Sequence, residues 1–290
     1  MTILTGKTVL LTGASGGLGV YIARALAREK ATVICISRSK VELDIICDEI
    51  TALGGKGISI PFDIKNVAKL SVLKQYIHRF VDHIDIIINN AGIEICRLLS
   101  DYSLEEIQSI LETNLLSPIE LTRLFLPSML ERRSGHIVNI ASLSGKKGVA
   151  YNSIYSASKS GLIMWTDAMR QELAGTGVKI SVICPGYVSE VGLVAKSGLP
   201  APYFAGSSKP FYVAKAVLRA IKQNQAEIIV STGFIIEYFV KLLFVIGQLY
   251  PPFIDVVYRW IGIPKFTRMR LEKKRNVDVS MINSVIGKHG

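Results

Sequence analysis

Three side chains near the middle of the chain are of types that together can move a proton. They are Ser142, Tyr155 and Lys159, in the run Ser-Leu-Ser-Gly-Lys-Lys-Gly-Val-Ala-Tyr-Asn-Ser-Ile-Tyr-Ser-Ala-Ser-Lys that ends at Lys159. Tyr155 and Lys159 are four apart, so on a helix they share one face, one turn apart. A free phenol titrates near ~10, and a neighbouring ammonium favours the phenolate and lowers that value. A phenol lowered in this way gives or takes a proton near neutral pH, which is general acid–base work. Ser142 can donate a hydrogen bond to a substrate oxygen whose charge changes in the reaction. By itself the Tyr–Lys pair reads first as an exposed helix face, so its surroundings decide.

Those surroundings alternate between strand and helix. Apolar, β-branched runs stand at Thr8–Thr12, Ala31–Ser37, Gly57–Phe62, Ile84–Asn89, His136–Ala141, Lys179–Cys184 and Glu227–Ser231. Continuous apolar strands are those of a parallel sheet covered on both faces. Amphipathic helical patterns lie between them, at Leu18–Arg28, Val41–Leu53, Leu104–Leu111 and Ile119–Glu131, with another from about Tyr151 to Leu173. Ser117-Pro118 reads as a capping hydroxyl and first-turn proline for the fourth of these. The alternation predicts an α/β fold: a Rossmann-type doubly wound parallel sheet of about seven strands with helices on both faces. Ser142 then falls at a strand end, where open parallel sheets bind ligands.

The turn after the first strand reads Thr12-Gly13-Ala14-Ser15-Gly16-Gly17-Leu18-Gly19. Glycines between a strand and a helix let the backbone approach a pyrophosphate, which the helix N-terminus then holds. The second strand ends in Ser37-Arg38. An acidic residue there would suit a ribose 2′-hydroxyl, whereas a hydroxyl and a guanidinium suit a 2′-phosphate, so NADP is expected rather than NAD. Asp63, ending the third strand, is placed to meet the adenine amino group. Asn89-Asn90-Ala91-Gly92 ends the fourth in small residues that let a cofactor come close. Asn114, near the end of a helical run, reads as a cap or a solvated side chain. Pro185-Gly186 borders the nicotinamide end.

The ordered set of these motifs resembles the short-chain dehydrogenase/reductase family over roughly residues 5 to 232. The resemblance implies that Tyr155 is the catalytic acid/base and that Lys159 lowers its pKa and binds the nicotinamide ribose. It implies that Ser142 holds the substrate carbonyl and that Asn114 supports a water-linked proton relay to Lys159. Gly13, Ser15, Gly17, Leu18, Gly19, Arg38, Asp63, Asn90 and Val188 would line NADPH, together with Tyr155 and Lys159. Two positions depart from the family pattern. Gly16 stands where NADP-using relatives often carry a second basic residue. Glu190 stands where a threonine often bonds the carboxamide, with Ser189 adjacent. The segment Val191–Pro210, with Tyr203 and Phe204, corresponds to the family's substrate lid and reads equally as a plain loop.

The 290 residues fit one large domain plus an appendage. The division expected is 1–233 as the NADP-binding catalytic domain, 234–263 as a hydrophobic helical segment and 264–290 as a basic tail. Apolar residues make up 49% of the chain. Its mean hydropathy is +0.37, greasy for a soluble enzyme. The cysteines Cys35, Cys47, Cys96 and Cys184 lack metal-site and CxxC spacing and read as buried thiols in a reducing compartment. No metal site is expected. Met1–Lys7 is too short for a secretion signal, and Thr8–Leu11 already reads as strand.

From Phe234 to Tyr250 nearly every residue is apolar, and Glu237, Lys241 and Gln248 project in nearly one direction at helical spacing. Pro251-Pro252 closes the run, short of the ~20 residues that a perpendicular membrane span needs. Phe253–Ile263 repeats the device with Asp255 and Arg259, and Tyr250, Tyr258 and Trp260 suit a lipid headgroup level. After Ile263, residues 265–290 hold seven Lys/Arg against two acidic residues of a chain whose net charge is +11. Three uses compete: contact with a membrane surface through 234–275, a homo-oligomer interface, and cover for a lipid-substrate pocket. Membrane contact ranks first because greasy helix and basic tail are adjacent. A tail that is hydrophobic then basic is similar to that of 3-ketosphinganine reductases. Nucleic acid is not expected, since the cations are not interleaved with stacking aromatics. The expected function is an NADPH-dependent reductase of a ketone or aldehyde on a small hydrophobic substrate, cytoplasmic and peripherally membrane-associated. The alternatives are the same site run as an alcohol dehydrogenase, and a non-catalytic adaptor that senses NADPH.

Overall fold

The structure, a computed structural model, describes residues 2–192, 198–200, 202, 207–230 and 234–273. Tyr203 and Phe204 of the expected lid, and the tail beyond 273, lie outside the described residues. Strands β1 (Thr8–Thr12), β2 (Thr32–Ser37), β3 (Lys56–Pro61), β4 (Ile86–Asn89), β5 (Gly135–Ile140) and β6 (Val178–Pro185) are joined by two short strands, β7 (Tyr187–Val188) and β8 (Ser207–Ser208), and by β9 (Glu227–Val230). All except β7 and β8 form one parallel sheet in the order β3-β2-β1-β4-β5-β6-β9. The expected strands are present with ends moved by a residue or two, the usual scatter of such boundaries.

Burial on both faces explains the unbroken apolar runs. Val9 and Leu11 point to one cluster, together with Ile22 and Leu26 of α1 (Leu18–Arg28), Leu43 and Ile46 of α2 (Lys40–Ala52), and Val217 of a helix at Pro210–Gln223. Leu10 points the other way, to Leu73 of α3 (Leu70–Ile77) and Phe125 of a helix at Ser117–Glu131. Side chains still alternate, but both directions lead to core. The strand order reverses between β1 and β4, so the crevice beyond their carboxyl ends is the switch point where ligands bind.

One correction falls between α4 (Leu104–Leu111) and α5 (Ser117–Glu131). Ser117 is no cap, because the helix does not start there: a π-turn at Glu112–Leu116 joins the two. The Ser117 hydroxyl is fully buried and donates to the Ile64 carbonyl at 2.5 Å. A π-turn carries one residue more than an α-turn and turns its side chains out of helical phase, often at functional sites.

After α6 (Ser153–Glu172) and α7 (Pro210–Gln223), the chain ends in α8 (Phe234–Leu249), α9 (Pro251–Ile261) and a helix at 263–273. The segment read as a tail is therefore helical through residue 273. The polar stripe of α8 turns inward at Glu237, while Gln248 stays exposed. Glu237 is 7% exposed and accepts hydrogen bonds from Arg219 and Lys241, both at 3.0 Å. Val240 and Phe244 pack beside Cys184 and Ile229. The greasy face looks outward, with Phe239, Leu242, Val245 and Leu249 exposed. On α9, Asp255 reaches back to Lys147, so it does not continue a free polar stripe. Among the described residues, no helix is long and apolar enough to cross a membrane.

Candidate active site

At the carboxyl end of the sheet lies a cavity of about 770 Å³, lined among others by Gly13, Arg38, Asn90, Ser142, Tyr155 and Lys159. The glycine turn forms its floor, with Gly13 at φ +66° and Gly17 at φ +47°. A Cβ on Gly13 would stand 2.9 Å from the Ala91 backbone, and one on Gly19 only 1.9 Å from the Gly13 carbonyl. Neither clash is tolerable, so both glycines are required for α1 to start this close to β1. No side chain caps α1 and its first turn has no acidic residue, which leaves its N–H groups facing the cavity for an anion. The Asn90 amide donates to the carbonyls of Thr12 (2.9 Å) and Gly13 (3.2 Å), tying the β4 loop to the turn across the switch point. This cradle fits a dinucleotide.

The adenosine end is more mixed than the sequence suggests. Arg38 is exposed at the rim. Ser15 bonds Ser37 at 2.8 Å and also donates to Glu42 at 3.0 Å, so a carboxylate shares that rim. Glu42 escapes sequence reasoning because Ser-x-x-Glu at 39–42 signals a helix start and nothing more. Asp63 is exposed and accepts from the Lys65 N–H at 3.0 Å. Leu18 and Val188 lie in the cavity wall. Glu190, at the departed threonine position, is exposed with φ +70°, and Ser189 bonds the Ser208 carbonyl.

Three elements assemble the proton-handling residues. Ser142 follows β5 and accepts from the Ser144 N–H at 3.1 Å, opening a short turn at Leu143–Gly145. That turn packs so tightly on α6 that a Cβ on Gly145 would lie 2.7 Å from the Lys159 backbone. From α6, Tyr155 and Lys159 point into the cavity, and the ammonium lies 5.8 Å from the centre of the phenol ring. Lys159 is 4% exposed and donates to the Ile140 carbonyl at 2.8 Å. Asn114, on the π-turn, is neither a cap nor solvated. It is fully buried, accepts from the Ile93 N–H, and donates to the Ile93 carbonyl and to Ser158, at 2.9 to 3.0 Å. It thereby pins the β4 loop to α6.

The electrostatics differ from the expectation. Burial pushes the Tyr155 phenol well above its usual value, the Glu94 carboxylate adds to that, and a hydrogen bond with Ser142 only partly offsets it. Burial also brings Lys159 down to about 8. The pair therefore holds a neutral phenol beside an ammonium that loses its proton just above neutrality.

Residues not found from sequence complete the walls. Tyr187, Tyr258 and Ile263 form an apolar side beyond Tyr155, so Tyr258 faces the cavity and not a headgroup layer. Glu94 lines the same side and is held by Arg270. No spacing signal joins residues so far apart in the chain. All four cysteines are buried and free.

Comparison with known proteins agrees with this arrangement. A family model described as short chain dehydrogenase matches residues 7–198. The ketoacyl reductase HetN of Nostoc sp. (strain PCC 7120) is 60% identical over 274 residues, covering 94% of this chain and 96% of that one. An uncharacterized oxidoreductase of Staphylococcus aureus (strain USA300) is 34% identical over 223 residues, 77% of this chain and 94% of its own. A metagenomic short-chain oxidoreductase crystallised with NADP superposes with a TM-score of 0.69 at 28% identity, over 80% of this chain and all of that one. A short-chain type dehydrogenase/reductase from Mycobacterium marinum gives 0.72 at 28%, over 79% and 96%.

The shift at Lys159 can be read directly. In the ligand-free protein, the NMR resonance of its Cε, assigned by its loss in Lys159→Met, is expected to titrate with a midpoint near 8. A midpoint at the ordinary lysine value would mean that water reaches the ammonium.

Proposed function

We propose, for a chain that belongs to the short-chain dehydrogenase/reductase family of oxidoreductases, an NADPH-dependent reductase of a ketone on a hydrophobic, acyl-type substrate. One observation carries this reading: Ser142, Tyr155 and Lys159 share a single cavity with the glycine cradle, and Tyr187, Tyr258 and Ile263 line it too. The relative named a ketoacyl reductase supports the substrate class. Its match leaves out so little of the chain that it must include much of 234–273, the segment that supplies Tyr258 and Ile263.

The cradle, Arg38 and Lys159 would hold the cofactor, which supplies a hydride when bound. The chain's own work is to manage the carbonyl oxygen. Ser142 donates a hydrogen bond to that oxygen and so favours charge developing on it. Tyr155 keeps its proton through neutral pH because burial raises its pKa. A phenol is still far more acidic than an alcohol, so the proton moves downhill to the oxygen as the alkoxide forms. The reverse reaction needs the phenolate, and raising the pKa pushes that form to alkaline pH. The same electrostatics thus favour reduction over alcohol oxidation near neutrality. Asn114 holds the loop and helix that place these groups, and a relay through it to Lys159 belongs to the same proposal.

The test is NADPH absorbance with purified protein and a panel of medium- and long-chain 3-ketoacyl thioesters, ketones and aldehydes. Turnover is expected, and Tyr155→Phe is expected to lose on the order of 10²–10⁴ in kcat/KM while still binding NADPH. Binding without turnover anywhere in the panel would favour the adaptor reading. Arg38→Ala is expected to weaken NADPH by about tenfold or more and to leave NADH nearly unchanged, since only the former carries the 2′-phosphate. Equal losses for the two would remove the case for NADP.

The outer face of α8 and α9 supports a second part of the proposal, contact with an anionic membrane surface. Tyr238, Phe239, Leu242, Leu249, Tyr250 and Trp260 are exposed, and Arg259 and Lys265, near them in sequence, are exposed too. Greasy aromatic surface flanked by cations suits a headgroup layer. Sedimentation with anionic vesicles is expected, to be weakened by salt and lost in Leu249→Glu/Trp260→Glu. A protein that ignores vesicles but changes from dimer to monomer in that variant would show an interface between copies instead.

A further inference from the structure

One ion pair in the cavity wall touches none of the proton-handling side chains directly but stands close enough to act on Tyr155. Glu94 lies two residues beyond Gly92 on the loop after β4, lines the cavity, and has a side chain 6% exposed. Arg270, on the helix at 263–273, meets it with two parallel hydrogen bonds, Nη1 to Oε1 at 2.9 Å and Nη2 to Oε2 at 2.8 Å. The Arg270 side chain is 7% exposed. Asn152, at the start of α6, donates its amide to the same carboxylate. The loop that approaches the cofactor site, the helix that bears Tyr155 and Lys159, and the last described helix therefore converge on one carboxylate. Around this point the last helix sets Phe266 edge-on to Tyr187, with ring centres 5.3 Å apart, and places Ile263 in the cavity wall.

Helix docking alone does not require such a pair. Two charges out of water are costly, and apolar side chains of similar volume hold elements together as well or better. Two-pronged geometry adds direction, since a guanidinium and a carboxylate fit in one plane and one register. It also neutralises a carboxylate that would otherwise stand alone near the phenol. Glu94 acts on Tyr155 to raise its pKa, and Arg270 opposes it.

We propose that the Glu94–Arg270 pair is a latch that fixes the helix at 263–273 as the substrate-side wall, making Arg270 a positioning residue for long hydrophobic substrates. Its kinetic consequence rests on the reductase reading, whereas its structural consequence does not. A substrate long enough to reach Tyr258 and Ile263 feels the latch, and a short one, held near Ser142 and Tyr155, does not. The effect belongs in KM for the long substrate, because the latch touches no reacting atom.

The experiment compares wild type, Arg270→Met and the charge-free Glu94→Gln/Arg270→Met variant, each with NADPH bound. Hydrogen exchange of the 263–273 amides is expected to speed up by about tenfold or more in Arg270→Met, as local opening becomes easier. In the charge-free double variant, which leaves no lone carboxylate beside the phenol, the preference for a long over a short 3-ketoacyl substrate is expected to fall by about tenfold through KM, with kcat for the short substrate nearly unchanged. Wild-type exchange in Arg270→Met overturns the latch, and faster exchange with unaltered chain-length preference overturns its role in specificity. Should Arg270→Met not fold, the double variant carries the same two readouts with the same consequences. If the wild type reduces nothing in the panel, the reductase reading falls, and the exchange data alone decide for or against the latch.

Discussion

A buried ammonium is the constraint around which this site is arranged. Lys159 is almost wholly buried in the cavity wall, and a charge there is tolerable only if its donors are used. The Ile140 carbonyl, at the end of β5, accepts one of them. That bond exists only because α6 crosses back over the sheet at this height. The crossing in turn needs a bare Gly145 under Lys159 and an Asn114 amide that ties α6 to the β4 loop. Moving any of these would strand the charge. The phenol one turn earlier is placed by the same contacts, so proton chemistry and sheet topology are fixed together.

Much of this was legible in the sequence, for a physical reason. Strands such as Val9–Leu11 and Ile86–Ile88 are buried on both faces, so their composition alone marks them. Gly13 and Gly19 are legible because the close approach of α1 to β1 leaves no alternative residue. What the sequence hid were contacts without a period. Asn114 looks like a cap because a π-turn and an α-helix end carry the same residues. Glu42 and Glu94 are ordinary acids until folding brings them to the cavity. The periodic reading of α8 grouped Glu237 with Lys241 but did not show what they face. Glu237 and Lys241 face the domain because Arg219 waits there. The Tyr155 phenol moves up and not down because burial, with the Glu94 carboxylate, outweighs the hydrogen bond with Ser142.

The C-terminal helices alter what kind of cavity this is. A Rossmann-type sheet alone leaves its crevice open on the substrate side. Here Lys147–Asp255, Arg219–Glu237 and Glu94–Arg270 hold three successive helices against the domain. Tyr258 and Ile263 of the last two narrow the cavity, and the outer faces of the first two present apolar surface. The segment that would sense a lipid layer is continuous with the segment that would contact a lipid-like substrate, which suits a compound taken up from the layer without crossing water.

The π-turn at Glu112–Leu116 has a consequence for how the chain tolerates change in length. Its widened loop is a surplus residue stored inside a long rod. Deleting one position there would heal the ladder into a regular α-helix and cost little as helix. The healed rod would carry Asn114 about a quarter-turn around its axis, away from Ile93 and Ser158, which it now joins. Counting residues between Ser103 and Ser117 therefore matters as much as their identities, and, Asn114 apart, substitution should be forgiven there more readily than any indel.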